Sequence, residues 1–128
     1  MRGQASVEFL FLIGVLMMIL AVFLWSDMSL QNKYYGIKTK VEAQKLCDEI
    51  AFEVNTAVRA GDGYKREFYM EKDFFGVSDF DISVGNYSVF IDWEKGSTTS
   101  SIIIKNITGT VTKEWNMVEN RNGNIYVT

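Results

Sequence analysis

The sequence contains no histidine and no proline, and its single cysteine is Cys47. Without histidine, the side chain most used as general base, proton shuttle and metal ligand near neutral pH is missing. With one cysteine, no disulfide can close within the chain, and Cys47 is expected to be a small buried hydrophobe on a helix. Without proline, nothing forces a kink into a long helix. There is also no Gly-rich phosphate loop, nucleophile elbow or paired-cysteine metal site. No residue is therefore nominated for catalysis, and the expectation is a protein that is not an enzyme and holds no cofactor. The 13 Lys and Arg against 16 Asp and Glu give a net charge of -3, with no basic patch. That balance argues against nucleic acid as a partner. Glu71, Asp73, Asp79 and Asp81 form an acidic stretch without the spacing or glycine of a calcium loop, so they read as a solvated loop and no metal is expected.

One feature is abundant instead. From Phe9 to Trp25 the chain carries no charge and one glycine, Gly14. As a helix this run measures ~26 Å, enough to cross a hydrocarbon core of ~30 Å when Val7 and its neighbours contribute. Three membrane readings compete. A cleaved secretory signal has a shorter apolar core and a small-residue cleavage site behind it. Phe23-Leu24-Trp25-Ser26-Asp27 offers no such site. A plain anchor would keep Arg2 in the cytoplasm, put Trp25 at the outer interface and leave Asp27 onward outside. In that reading Ser6 is an N-cap and Glu8 a first-turn acid that complements the helix dipole.

The third reading uses the residues ahead of the run. Arg2, Gly3, Gln4, Ser6, Glu8 and Leu12 stand in the order of the archaeal class III signal peptide, Gln-x-Ser-x-Glu-x-x-x-Leu behind a basic residue and glycine. The segment resembles that of archaeal type IV pilin-like proteins. The resemblance implies cleavage after Gly3 by a prepilin peptidase, with Arg2, Gly3, Gln4 and Ser6 as the processing segment. It implies that Glu8 becomes the fifth residue of the mature chain, where pilins generally carry a glutamate. Cleavage leaves a cationic amine on Gln4, and a carboxylate in an apolar bundle needs a partner of that kind. Gln4 and Glu8 are thus the implied assembly residues. The implied partners are other pilin subunits through the N-terminal helix, the peptidase, and the membrane before assembly.

From Met28 to Ala60 apolar residues recur at helical spacing, with Ile37, Val41, Leu46, Ile50, Val54 and Val58 as a stripe flanked by Ala43, Cys47, Ala51 and Ala57. This predicts an amphipathic helix, closed by Gly61-Asp62-Gly63. Ser26, Asp27, Ser29, Asn32 and Gly36 are weak helix formers and leave room for the helix to loosen, but one long helix, roughly Ser6 to Ala60, is expected. Beyond Gly63 the period becomes two. Tyr64, Arg66, Phe68 and Met70 share a face, as do Phe80, Ile82 and Val84. A turn at Gly85-Asn86 leads to Tyr87, Val89, Ile91 and Trp93, and Glu94-Lys95-Gly96-Ser97 turns again. A strand over Thr99–Ile107 centred on Ile102-Ile103-Ile104 follows, then a turn at Thr108-Gly109. Val111, Lys113, Trp115 and Met117 alternate, and Asn120 to Asn124 form a turn before Ile125-Tyr126-Val127. The predicted fold is α+β: a long N-terminal helix, membrane-spanning in its first half and amphipathic in its second, packed on a small antiparallel β-sheet head. The expected divisions are a leader over 1–3, a transmembrane or filament-core helix over 4–26, an amphipathic helix over 27–61 and an antiparallel β head over 62–128.

Asn86-Tyr87-Ser88 and Asn106-Ile107-Thr108 match the N-glycosylation pattern; Asn86 falls at a turn tip, and Asn106 in a strand. The aromatics Tyr34, Tyr35, Tyr64, Tyr69, Trp93 and Trp115 read as sheet and core residues rather than a ligand site. Two functions from different classes follow. One is a structural subunit, a minor and adhesive pilin of an archaeal type IV pilus-like filament, whose N-terminus starts in the cytoplasm and whose head lies outside the cell. The other is a membrane-anchored extracellular domain that binds a partner without assembling.

Overall fold

The computed structural model describes residues 6–28 and 30–128 with their side chains; residues 2–5 and 29 are described by backbone alone, and Met1 lies outside the described residues. One helix, α1 (Arg2–Ala60), is followed by β1 (Lys65–Met70), β2 (Phe80–Gly85), β3 (Ser88–Trp93), β4 (Gly96–Ser101), β5 (Ile107–Gly109), β6 (Glu114–Arg121) and β7 (Asn124–Val127). The fold is α+β. The chain divides into two compact units, Met1–Ile37 and Lys38–Thr128.

The first unit is helical. Every residue described with its side chain from Ser6 to Ile37 is exposed, and the apolar stretch is long enough to cross a membrane. The one long helix expected is present, and α1 continues through the weak helix formers between Ser26 and Gly36. Propensity is a weak bias of under ~1 kcal/mol per residue, and the good helix formers Leu30, Gln31 and Lys33 lie among the poor ones.

The second unit holds the core. Ala43, Leu46, Cys47, Ile50, Ala51, Val54 and Ala57 are buried on α1. The fully buried row is Ala43, Cys47, Ile50, Val54 and Ala57, so Ile50 and Val54 of the expected stripe share the centre with small residues expected only to flank it. Ile37 and Val41 are 67% and 58% exposed. Small side chains let a sheet approach the helix closely, which is why Ala and Cys occupy the middle. Against them pack Met70, Val89, Ile91, Ile102, Val118, Ile125 and Val127.

Two sheets form, rather than the single antiparallel meander that the sequence suggests. One has the order β1-β6-β7-β5 and the other β2-β3-β4. The β5 and β7 strands run parallel, with Gly109 opposite Val127. Gly109 is therefore a paired strand residue, not a turn. Its φ is 105°, and a Cβ there would lie 1.8 Å from the Val127 carbonyl oxygen. Only glycine allows that approach.

Four further local expectations are corrected. The first hairpin turns on Asn86-Tyr87, one residue later than Gly85-Asn86, because Gly85 still pairs with Ser88. Ile102-Ile103-Ile104 lies outside any strand: Ile102 N–H donates to Tyr87 O at 2.9 Å and Ile103 N–H to Asn55 Oδ1 at 2.8 Å. The buried face of β6 is Asn116, Val118 and Asn120, while Trp115 is 67% exposed. Val111 is buried upstream, and Glu114, at a φ of 94°, reverses the parity between them. The last hairpin turns on Asn122-Gly123 alone, between Arg121 and Asn124.

β4 reads Gly-Ser-Thr-Thr-Ser-Ser and brings no large apolar side chain, yet it lies beside the helix. Hydroxyl and amide groups join them. Gln44 Nε2 donates to Ser100 Oγ at 2.9 Å, the Thr98 hydroxyl donates to Gln44 Oε1, and the Ser100 hydroxyl donates to Asp48 Oδ1. Asn55 Nδ2 donates to Ser101 O at 3.3 Å.

Candidate functional site

Three places gather the residues that could carry function. In the first unit, Ser6 and Glu8 are exposed on α1. Because α1 starts at Arg2, Ser6 is not an N-cap and Glu8 is not in the first turn. Their role as a simple helix-start device is thereby weakened. Among the described residues Glu8 forms no ion pair. The side chains of Arg2, Gly3 and Gln4 lie outside the described residues. A carboxylate on an apolar helix needs a cation or a hydrogen-bond donor as partner when it leaves water.

The second place is the tip of the β2–β3 hairpin. Asn86 and Tyr87 adopt φ of 55° and 64°, the geometry of a two-residue turn with both central residues left-handed. Asn86 is exposed, and its N–H donates to Lys105 O at 2.6 Å. Asn106 is also exposed and lies just ahead of β5, not within the strand where it was expected. Both asparagines line one shallow depression with Ser83, Ser88 and Phe90.

The third place has no signature in the sequence. A groove of about 1030 Å³ lies between the α1 residues Val41 to Glu53 and the β1 residues Arg66 to Tyr69, with Trp115 at its end. β1 is an edge strand, paired only with β6. Phe52, Tyr69 and Trp115 are 62%, 49% and 67% exposed, and Tyr69 and Trp115 meet edge to face at 5.4 Å. Glu53 is buried among them. One oxygen, Oε1, lies 3.5 Å from Arg66 Nη1, and Oε2 is buried without a hydrogen-bond partner. Simple alternation points Trp115 inward, and so hides this surface.

Elsewhere the chemistry is quiet. Cys47 is fully buried, donates to Val89 O at 3.2 Å, and burial pushes its thiol pKa up. That is the environment of a packing thiol, not a reactive one. Among the described residues no cluster of His, Cys, Asp or Glu could hold a metal ion. The Tyr64 and Trp93 rings are half-buried against the core. Comparison with known family models, curated proteins and solved structures finds no match to this chain.

Proposed function

We propose that this chain is a structural subunit of a surface filament of the archaeal type IV pilus kind, a minor subunit whose head serves adhesion. The observation that carries the reading is the first unit itself. It is a helix whose stretch from Phe9 to Trp25 is uncharged on every side, with Glu8 just ahead of that stretch and Asp27 just after it, and none of its described side chains is buried. Such a surface is stable in a bilayer or against other apolar helices. A carboxylate so placed needs a cation, and the amine freed by cleavage between Gly3 and Gln4 is one. The subunit is held in the cell membrane with its N-terminus inside and its head outside, then passes into the filament. Its partners are the peptidase, the membrane and copies of other pilin subunits.

The competing function is an anchored extracellular binding domain that never assembles, and the groove beside β1 is what favours it. The test is the intact mass and N-terminal sequence of the protein taken from its native membrane and surface fractions. A chain that starts at Gln4 with the apolar helix attached supports the filament subunit. A chain that starts at Met1 favours the anchored domain, and one that starts beyond Trp25 removes both.

A further inference from the structure

We propose that the groove beside β1 in one copy receives the basic helix face Leu30–Lys40 of a neighbouring copy. The proposal rests on the filament reading and assigns that reading a contact. Charge is the first argument. The face carries Lys33 and Lys40, and no acid stands between Met28 and Val41. The groove is acidic in balance, with Asp48, Glu49, Glu53 and Glu67 against Lys45 and Arg66. Complementary potentials of this kind set which surfaces meet and in what register.

Pattern is the second argument. Leu30, Lys33, Tyr34, Ile37 and Lys40 recur at spacings of three and four, which places them on one helix face. Leu30, Tyr34 and Ile37 are 62%, 62% and 67% exposed, and Lys33 and Lys40 are exposed as well. Phe52, Tyr69 and Trp115 supply apolar area and ring faces for lysine ammonium groups. Buried Glu53 Oε2 has no partner, and a buried acceptor left without a donor is costly. A lysine from outside would supply one.

Topology is the third argument. On the filament reading each pair of copies makes the contact once, one face entering one groove, so the contact is head to tail. Such a contact repeats without closing and builds a filament, whereas a two-fold contact stops at a dimer. Edge-to-edge pairing of two β1 strands is the two-fold alternative. It is opposed by Lys65, Arg66 and Glu67 in succession on that edge, the charge pattern that discourages strand addition.

The test uses the full chain in its native membrane, carrying Ile37→Cys and Phe52→Cys together. Buried Cys47 stays silent under mild oxidation. The expected result is a covalent ladder of dimers, trimers and higher species in the filament fraction. Dimers alone would mean a two-fold contact and overturn the proposal. Filaments without any cross-link would overturn it too, while leaving the filament reading intact. Absence of filaments from the unsubstituted chain would overturn both. Charge reversal gives an independent measurement. Lys33→Glu with Lys40→Glu should lower filament yield by about tenfold, and adding Glu49→Lys with Glu67→Lys, both at exposed positions, should recover most of it. Loss without recovery would overturn the pairing.

Discussion

Asn120 Nδ2 donates to the Ala57 carbonyl at 2.9 Å from a position only 2% exposed. Ala57 is in the last turn of α1, where carbonyls have no partner within the helix. The same side chain accepts from Gly123 N–H at 3.0 Å, and the Asn120 backbone bonds Gly63 and Tyr64, each at 2.9 Å. Asp62 Oδ1 accepts from Asn122 N–H at 2.6 Å beside it. One asparagine thus ties the helix end, the loop after it and the last hairpin together.

Asn120→Ala should destabilise the second unit by about 1–3 kcal/mol, since the buried Ala57 carbonyl loses its donor and the Gly123 N–H its acceptor. Asn120→Asp should cost at least as much at neutral pH, because a carboxylate cannot donate to Ala57 O. Burial and the facing carbonyl raise the new carboxyl's folded pKa. Its protonated form is favoured by folding, so the variant should gain stability as pH falls toward ~4. Denaturant melts of the full chain in detergent at several pH values check both; equal stability of the Asn120→Asp variant and the wild type at neutral pH would remove the donor argument.

Two hairpins use the same turn geometry with different chemistry. Asn122-Gly123 has φ of 53° and 81°, and Asn86-Tyr87 has 55° and 64°. A side chain in the left-handed region costs roughly 1–2 kcal/mol, which glycine avoids. Tyr87 is 56% exposed, so little packing is lost on its removal. Tyr87→Gly should therefore stabilise the head by about 0.5–1 kcal/mol after the entropy cost of glycine. Gly123→Ala should destabilise by a similar amount. Thermal melts read both, and a lower midpoint for Tyr87→Gly would show that the tyrosine ring contributes more than its exposure suggests.

Why some of this is legible in the sequence and some not follows from what each signal measures. Small and apolar residues at helical spacing report burial of one face, so α1, its glycine stop and buried Cys47 are readable from the chain. Alternation points Val89 and Ile91 inward for the same reason. It fails where the backbone changes parity, as Glu114 does at a φ of 94°. It also fails where a polar side chain is satisfied in place. Asn116 is 2% exposed because it accepts from Thr112 N–H and donates to Thr112 O, each at 2.7 Å. The partition into two sheets and the parallel pairing of β5 with β7 depend on long-range contacts, which have no local period. The groove depends on the same facts, since it exists only because β6 turns Trp115 outward. The roles proposed for Glu8 and the segment before it rest on the resemblance that their order carries.

Cys47 should resist alkylation in the folded protein. Its thiol is fully buried, and burial raises the pKa, so the reactive thiolate is scarce. The sign for stability follows. A thiol whose folded pKa is raised contributes fully below its unfolded value of ~8.5, and that contribution is lost as pH rises through the folded value. Iodoacetamide labelling of the native chain at neutral pH should be at least tenfold slower than labelling in denaturant, on the order of a 1.4 kcal/mol opening cost or more. Equal rates would put the thiol at the surface. Burial also leaves Cys47 unable to reach a second copy, so no intersubunit disulfide is expected from it.

On the filament reading proposed above, an assembly role for Glu8 can be separated from cleavage after Gly3. Gly3→Ala should block removal of the leader, because the residue before the cut is changed, and the chain should stay in the membrane at full mass. Glu8→Ala should be cleaved normally and then fail to enter filaments. Without the carboxylate, the amine of Gln4 has no partner in the apolar bundle, and an uncompensated charge there costs about 3 kcal/mol or more. Glu8→Gln keeps the shape and a hydrogen-bonding oxygen but not the charge, so it should assemble poorly as well if charge pairing is the cause. Membrane retention of both Glu8 variants should be unchanged, since removing an acid makes the helix more apolar. Mass spectrometry gives the cleavage, and the ratio of subunit in sheared filaments to subunit in membranes gives the assembly. Normal incorporation of Glu8→Gln with failure of Glu8→Ala would replace charge pairing with a hydrogen bond, and normal incorporation of both would leave Glu8 without an assembly role.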